Sequence, residues 1–440
     1  MDRNAETLET LKHAASPRSR EEFERARAVM PGGAKGAYFF APYPLTMERG
    51  EGCYLFDVDE RRYVDFAGHH TAQVLGHGNL AVMKAVYAQL ERGIVLGAPT
   101  GAETVLAEEI CRRVDSVERI RFCNSGTEAT LHAIRLARGF SHKPKIAKFE
   151  GGYHGSHDAL EISVAPPLDL AGPPDAPTAV PGAGGMSPHA AEEVVILPYN
   201  DETAVERLIV RHAHELACVI FDPKAGILPQ RPEFVQFLRD VTQRHDVLLI
   251  VDEIVSFRAG RGGLQGEYGI RPDLTTLGKI IGGGFAVGAF GGRADIMDLL
   301  DNTRGGTGFH QSGTFSAHPV TMAAGLATLK QLTPEAFAHV NGLGDKLRTG
   351  LNDRFARERV AAQAVGVGSL FSIHFSREPV VDYRSLARAD KALANRAFLS
   401  LLEQGYYLSQ GLTMSALSLP MEPRHIDGLI DAVGRAIALH

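Results

Sequence analysis

The sequence predicts an α/β fold: a large domain with a mainly parallel seven-stranded sheet covered by helices, and a smaller α+β domain drawn from both termini. Three observations lead there. From about residue 100 to 295, short apolar runs alternate with segments of helical length and spacing. Those runs are rich in Val, Ile and Leu and lack polar alternation, as strands buried on both faces do. Outside that stretch the pattern changes, to a helix and a hairpin before it and to mixed elements after Pro319. The expected domains are 1–75 (an N-terminal segment joining the small domain), 76–319 (the large domain) and 320–440 (the C-terminal small domain).

In chain order, residues 5–29 carry apolar and charged positions at helical spacing, and Pro31-Gly32-Gly33 stops that helix. Ala37-Tyr38-Phe39-Phe40-Ala41-Pro42 reads as an aromatic turn. Residues 53–66 read as a hairpin, with an acidic turn between two strands. The seven strand candidates are 119–123, 145–149, 194–197, 217–221, 247–251, 274–277 and 287–290, with helices such as 126–140, 202–214 and 233–245 between them. Ligands bind beyond the C-terminal ends of strands in such sheets, which is where Ser125, Asp252 and Lys279 fall. Residues 165–190 are rich in Pro, Gly and Ala and are expected to form a lid, since connections of this length are usually functional or disordered. An apolar helix at 320–332 opens the C-terminal part, and helices at about 388–403 and 424–439 close it.

Composition narrows the function. The chain has 440 residues, 44% hydrophobic and 22% charged, with a formal net charge of −6, an ordinary globular balance. A negative balance without a basic stripe argues against nucleic acid as a partner. The N-terminus does not resemble a signal peptide, and no apolar run approaches membrane-spanning length. Cys53, Cys111, Cys123 and Cys218 are scattered without a CxxC, so neither a disulfide framework nor a zinc site is expected, and a reduced, cytoplasmic setting fits. His212-Ala213-His214-Glu215 reads as part of an exposed helix, so no metal is expected.

The chemistry concentrates at strand ends. Leu274-Thr275-Thr276-Leu277-Gly278 runs straight into Lys279, and Ile280-Ile281-Gly282-Gly283-Gly284 follows. An amine placed there is desolvated, which favours its neutral, nucleophilic form. Val247-Leu248-Leu249-Ile250-Val251 ends at Asp252, and a buried carboxylate needs a cationic partner. A lysine and an acid so placed suit a cofactor with an aldehyde at one end and a basic ring nitrogen at the other, namely pyridoxal 5'-phosphate (PLP). Asn124-Ser125-Gly126-Thr127 closes a strand and opens a helix, so its free N–H groups and dipole can hold a phosphate, although an ordinary N-cap has the same appearance. Tyr153 and His154 sit in a glycine-rich turn after a strand, where an aromatic ring can lie on a cofactor ring or simply face solvent. Ile254, two residues beyond Asp252, points to the same side and can press on the ring.

As a set, Asn124-Ser125-Gly126-Thr127-Glu128-Ala129, Gly152-Tyr153-His154-Gly155, Asp252-Glu253-Ile254, Thr276-Leu277-Gly278-Lys279 and Gly313-Thr314-Phe315-Ser316 resemble the class III aminotransferases, fold-type I PLP-dependent transferases. The resemblance covers about residues 25–438. It is greatest to the branch of glutamate-1-semialdehyde aminomutase and the β-amino-acid (β-phenylalanine) aminotransferases, through Ala41-Pro42-Tyr43-Pro44-Leu45-Thr46 and Gly288-Ala289-Phe290-Gly291-Gly292-Arg293-Ala294-Asp295. It implies a Schiff base on Lys279 and a pyridinium partner in Asp252. Ser125, Gly126 and Thr127 would hold the phosphate, and Tyr153 would stack on the ring. Thr314 would reach the phosphate of a neighbouring subunit in a homodimer. The implied activity moves an amino group between an amine or (β-)amino acid and a keto acid by double displacement. An intramolecular aminomutase reaction is the alternative.

Departures from the pattern bear on substrate. The N-terminal loop holds Lys35 as its only cation beside Tyr38 and Phe39, where related enzymes place an arginine. Ser409-Gln410-Gly411-Leu412-Thr413-Met414-Ser415 also lacks an arginine. Gly68-His69-His70-Thr71 brings an unusual histidine pair, and Lys35, Tyr38, Phe39 and His69 are the expected substrate contacts. Asp222-Pro223-Lys224 replaces the usual Glu-Pro-Val, and no role is carried over to Asp222.

Overall fold

The computed structural model describes residues 16–34, 40–224, 226–304 and 308–438. The chain divides into two compact units, a smaller one of 1–79, 338–379 and 389–440 and a larger one of 80–337 and 380–388.

The smaller unit contains strands β1 (Met47–Glu51), β2 (Tyr54–Asp57) and β3 (Arg62–Asp65), the last two being the expected hairpin. The larger unit supplies β4 (Arg119–Cys123), β5 (Lys145–Phe149), β6 (Val194–Leu197), β7 (Leu216–Phe221), β8 (Leu248–Asp252), β9 (Leu274–Gly278) and β10 (Gly288–Gly292). Back in the smaller unit lie β11 (Gln363–Val365), β12 (Leu370–His374), β13 (Tyr406–Tyr407) and β14 (Ser415–Ala416).

The seven strands of the larger unit form one sheet in the order β4-β10-β9-β8-β7-β5-β6. All neighbours are parallel except those of β10, which runs antiparallel to both β4 and β9. Both faces are covered, and period-two alternation sends successive residues to opposite cores. Ile146, Cys218, Ile220, Leu248 and Ile250 join one cluster with Ile134 and Ile162. Ala147, Val219, Phe221, Leu249 and Val251 join the other with Phe234 and Leu238. Each fully buried Leu, Ile or Phe contributes about 1.5–3 kcal/mol, which makes the sheet a rigid base for its loops.

In the smaller unit β1-β2-β3-β13 form one sheet and β11-β12-β14 another. Helices Lys391–Glu403 and Pro423–Ala438 pack on them through Phe398, Leu402, Leu429 and Val433, which share a core with Phe40, Tyr63 and Phe66. A core built from both ends of the chain makes this unit α+β. The N-terminal helix is described over Pro17–Arg27, and the start of the expected 5–29 helix lies outside the described residues.

Unit boundaries differ from the expected ones. Helix Pro319–Gln331 packs on helices Leu80–Arg92 and Gly101–Arg113 and so belongs to the larger unit, which runs to Phe337. The segment Val380–Arg388 also returns to that unit. Its Arg384 makes a bidentate pair with Glu150, at 3.0 Å for each bond, and donates to the carbonyls of Ala171, Gly172 and Pro173. The same contacts pin the 165–190 stretch, helped by Tyr383 Oη donating to Pro166 O and by a bridge between Ile162 and Pro181. This segment, the expected lid, is an irregular loop anchored by these contacts.

Candidate active site

Six strands, all but β10, point their C-terminal ends to one edge of the larger sheet. There Gly126, Thr127, Tyr153, His154, Gly155, Asp222, Asp252, Ile254, Val255, Lys279 and Val287 line a cavity of about 210 Å3.

Lys279 opens a short 3₁₀ turn directly after β9, with φ of +50°. A non-glycine residue in the left-handed region is held there by its surroundings, a feature of functional turns. Burial holds its ammonium below the ordinary lysine value, while the carboxylates of Asp252 and Asp222 pull it back up.

Asp252 is 5% exposed and three groups fix its carboxylate. His154 Nδ1 donates to Oδ2 at 2.8 Å, while Thr276 Oγ1 and the Ile254 amide donate to Oδ1 at 3.0 and 3.1 Å. The Thr276 contact follows from register, since Asp252 and Thr276 are paired residues of β8 and β9. With Nδ1 committed to Asp252, the Nε2 of His154 is buried without a hydrogen-bond partner.

Ser125 caps helix Gly126–Ser141, its Oγ accepting from Glu128 N at 3.2 Å. Ser125 itself does not line the cavity, whereas Gly126 and Thr127 do. Close approach crowds both sides of this turn, and at Gly288 the neighbour is backbone that only glycine admits. A Cβ at Gly126 would stand 2.7 Å from Ile254 Cδ1, and one on Gly288 of β10 would stand 1.9 Å from the Ser125 carbonyl oxygen. Tyr153 is 53% exposed with its ring at the cavity wall.

Asp222, to which sequence reasoning gave no role, lines the same cavity. It pairs with Lys224 Nζ at 3.4 Å and accepts from the Lys224 amide at 2.8 Å. Thr276 was also missed. Its signal was its position beside Asp252 in the next strand, which requires the register to be known. Thr314 lies in an exposed turn and is not among the cavity residues. Lys35, Tyr38 and Phe39 lie outside the described residues. His69 belongs to the smaller unit, where it lines a cavity of about 510 Å3 together with Asp65 and His77. It sits in a left-handed turn in which His69, His70 and Thr71 have φ of 50°, 51° and 70°. His212 pairs with Glu215 at 2.8 Å, and the described residues contain no cluster fit for a metal.

A doubly covered α/β sheet with a desolvated lysine and a braced buried acid in one cavity defines an enzyme built around an electrophilic cofactor. The family profile "Aminotransferase class-III" matches residues 39–427, and the chain belongs to that family, whose members are PLP-dependent aminotransferases. It is similar to the glutamate-1-semialdehyde 2,1-aminomutase of Methanocaldococcus jannaschii, 38% identical over 397 residues, or 89% of this chain and 91% of that protein. It is also similar to the β-phenylalanine transaminase of Variovorax paradoxus, 40% identical over 432 residues, or 97% of this chain and 94% of that protein. The crystal structure of an ω-transaminase from Sphaerobacter thermophilus superposes with a TM-score of 0.90 at 40% identity, covering 96% of this chain and 97% of the other. The donor set suits PLP: the N-terminus of a sixteen-residue helix for a phosphate, a buried carboxylate for a ring nitrogen and an amine of lowered basicity for an aldehyde.

Proposed function

We propose that the chain transfers an amino group between an amine or β-amino acid and a keto acid, with Lys279 as its reactive amine. The single observation that carries this reading is that Lys279 and Asp252 face one cavity, the first with lowered basicity and the second nearly inaccessible to solvent. Bound there, PLP supplies an aldehyde that condenses with amines and a ring that accepts electrons from the amino carbon. Asp252, oriented by His154 and Thr276, keeps the ring nitrogen protonated. Gly126 and Thr127, with Ser125, bind the phosphate through backbone amides, hydroxyls and the helix dipole. Tyr153 and Ile254, which both line the cavity, would contact the ring. The Lys279 amine would hold and move a proton at the substrate's amino carbon.

The substrate class rests on the relatives' names and on the lining of the cavity. Among the lining residues no arginine is present to clamp a carboxylate in a planar fork, and two acids are. Lys35, Tyr38, Phe39 and His69 are proposed to contact substrate on the strength of the sequence resemblance. A homodimer is proposed, with Thr314 reaching the second copy's phosphate. Large apolar side chains exposed along helix Leu80–Arg92 and just beyond it support this: Leu80, Tyr87 and Val95 are 75%, 60% and 66% exposed. Light scattering that returned a monomer would remove it. A cytoplasmic location is proposed from the four free cysteines. No helix among the described residues is long and apolar enough to cross a membrane.

The second reading, an aminomutase, is favoured by the relatives that bear that name. Mixing the PLP-loaded protein with β-phenylalanine, 1-phenylethylamine or D- and L-amino acids, without a keto acid, separates the two. Stoichiometric conversion to the pyridoxamine form with release of a carbonyl product supports the transaminase. Catalytic isomerisation without an acceptor supports the mutase.

A further inference from the structure

Lys148 is a charged residue where the sheet should be apolar. It occupies the fourth position of β5, between Ala147 and Phe149, and is completely buried. Its side chain points to the face that holds Ile146, Leu160 and Ile162. The ammonium has three protons, and each goes to a backbone carbonyl: Gly152 at 2.7 Å, Leu160 at 2.9 Å, and Ile162. All three carbonyls belong to one loop, which leaves β5, passes the cavity with Tyr153, His154 and Gly155, and returns under the sheet at Ile162.

Burying an ammonium costs several kcal/mol even when it is bonded, and an apolar residue of similar volume usually gives equal or greater stability. What an apolar residue cannot do is fix three carbonyls at set distances. Gly152 immediately precedes Tyr153, so the ammonium acts one peptide away from the ring at the cavity wall. A second peg acts on the next residues, as Thr130 Oγ1 donates to the His154 carbonyl at 2.7 Å.

We propose that Lys148 is a positioning residue for the cofactor: its ammonium draws the Gly152, Leu160 and Ile162 carbonyls to one point and thereby sets Tyr153 and His154 against the cofactor ring. The inference rests on the PLP reading of the cavity. Burial, with Lys224 adding to it and Glu161 opposing, pushes the ammonium down to about 7.

The test measures PLP affinity and the circular dichroism of bound PLP, in a Lys279→Ala background where binding is non-covalent. Lys148→Met replaces the ammonium with an apolar chain of similar length. The expected result is a folded protein of unchanged or higher Tm, a PLP Kd raised about tenfold or more, and a weakened cofactor dichroism. A folded Lys148→Met protein with the parental Kd and dichroism overturns the proposal, whatever its Tm. If Lys148→Met does not fold, Lys148→Gln decides. Its amide can donate to at most two of the three carbonyls, so a raised Kd in the folded variant supports the proposal and an unchanged Kd overturns it. A Lys279→Ala parent that does not bind PLP sinks the functional reading itself, and is distinguishable from a parent that binds as well as its Lys148→Met partner.

Discussion

Thr276 Oγ1 donates to Asp252 Oδ1 at 3.0 Å across the β8–β9 pair, while His154 Nδ1 occupies the other carboxylate oxygen at 2.8 Å. The acid is thus held from a neighbouring strand and from a loop that starts two strands further along the sheet. Thr276→Val removes one of these bonds and leaves the strand intact. A charge-assisted hydrogen bond contributes about 1.5–3 kcal/mol, so kcat/KM should fall by roughly 10- to 100-fold. Asp252→Asn, which removes the charge, should cost more than Thr276→Val. Steady-state kinetics on both variants checks the order, and equal losses would contradict it.

Lys279→Ala should abolish turnover and prevent borohydride from fixing PLP to the chain. The pH dependence of attachment gives a finer test. Burial lowers the Lys279 basicity, while the carboxylates of Asp252 and Asp222 raise it. Attachment requires the neutral amine, so its midpoint should lie below that of an ordinary lysine. Asp222→Asn removes one charge that favours the ammonium and should move the midpoint to lower pH. An absorbance titration that moved the other way would remove Asp222 from the electrostatics of the site.

Gly288→Ala should weaken PLP binding without unfolding the sheet. Its Cβ would stand 1.9 Å from the Ser125 carbonyl oxygen, so the Ser125–Gly126 turn must shift. A phosphate site built from that turn's amides is displaced with it. Equilibrium dialysis of PLP against the variant should therefore show a clear rise in Kd.

Arg384→Ala should loosen the 165–190 loop. It leaves the Glu150 carboxylate, 3% exposed, without its bidentate partner. Breaking a buried pair from one side costs about 3–5 kcal/mol. Denaturation should report the loss, and hydrogen exchange should rise at the amides of Ala171 and Gly172, whose carbonyls Arg384 holds.

Glu253 gives the chain a pH-dependent stability. It is fully buried, and burial pushes its carboxyl up to about 7 against the bonds donated by Ser256, Gln265 and Leu264. Between the ordinary carboxyl range and pH 7, the folded chain keeps a proton that the unfolded chain releases. Stability therefore falls as pH rises through that window. Glu253→Gln cannot titrate, so its Tm should change less than that of the parent between pH 5 and 7. Parallel Tm curves would refute the assignment.

Residue order alone was enough to place the sheet and the residues at its active edge. Apolar strands buried on both faces and helices between them are local signals, and a charged residue at the end of such a strand stands out. Lys279, Asp252 and the Ser125-Gly126-Thr127 turn were legible for that reason, as was the family through its motifs. The observed β10 shows the limit: its position was legible, but its antiparallel direction was not, because direction depends on how the chain returns to the sheet.

Which groups brace those residues emerges from long-range contacts in the fold. Thr276 became visible through strand register, Asp222 through its place on the cavity wall, and Arg384 through contacts made 234 residues away from Glu150. Lys148 did carry a sequence signal, a lone cation in an apolar strand, but its three carbonyl partners exist only once the loop has closed over the sheet. Helix Pro319–Gln331 joins the larger unit and not the expected C-terminal one for the same reason, since an apolar helix does not specify which neighbours bury it. Local pattern sets what each segment is, whereas partners distant in sequence set what its polar atoms bind, because a buried donor or acceptor must be satisfied wherever the fold places one.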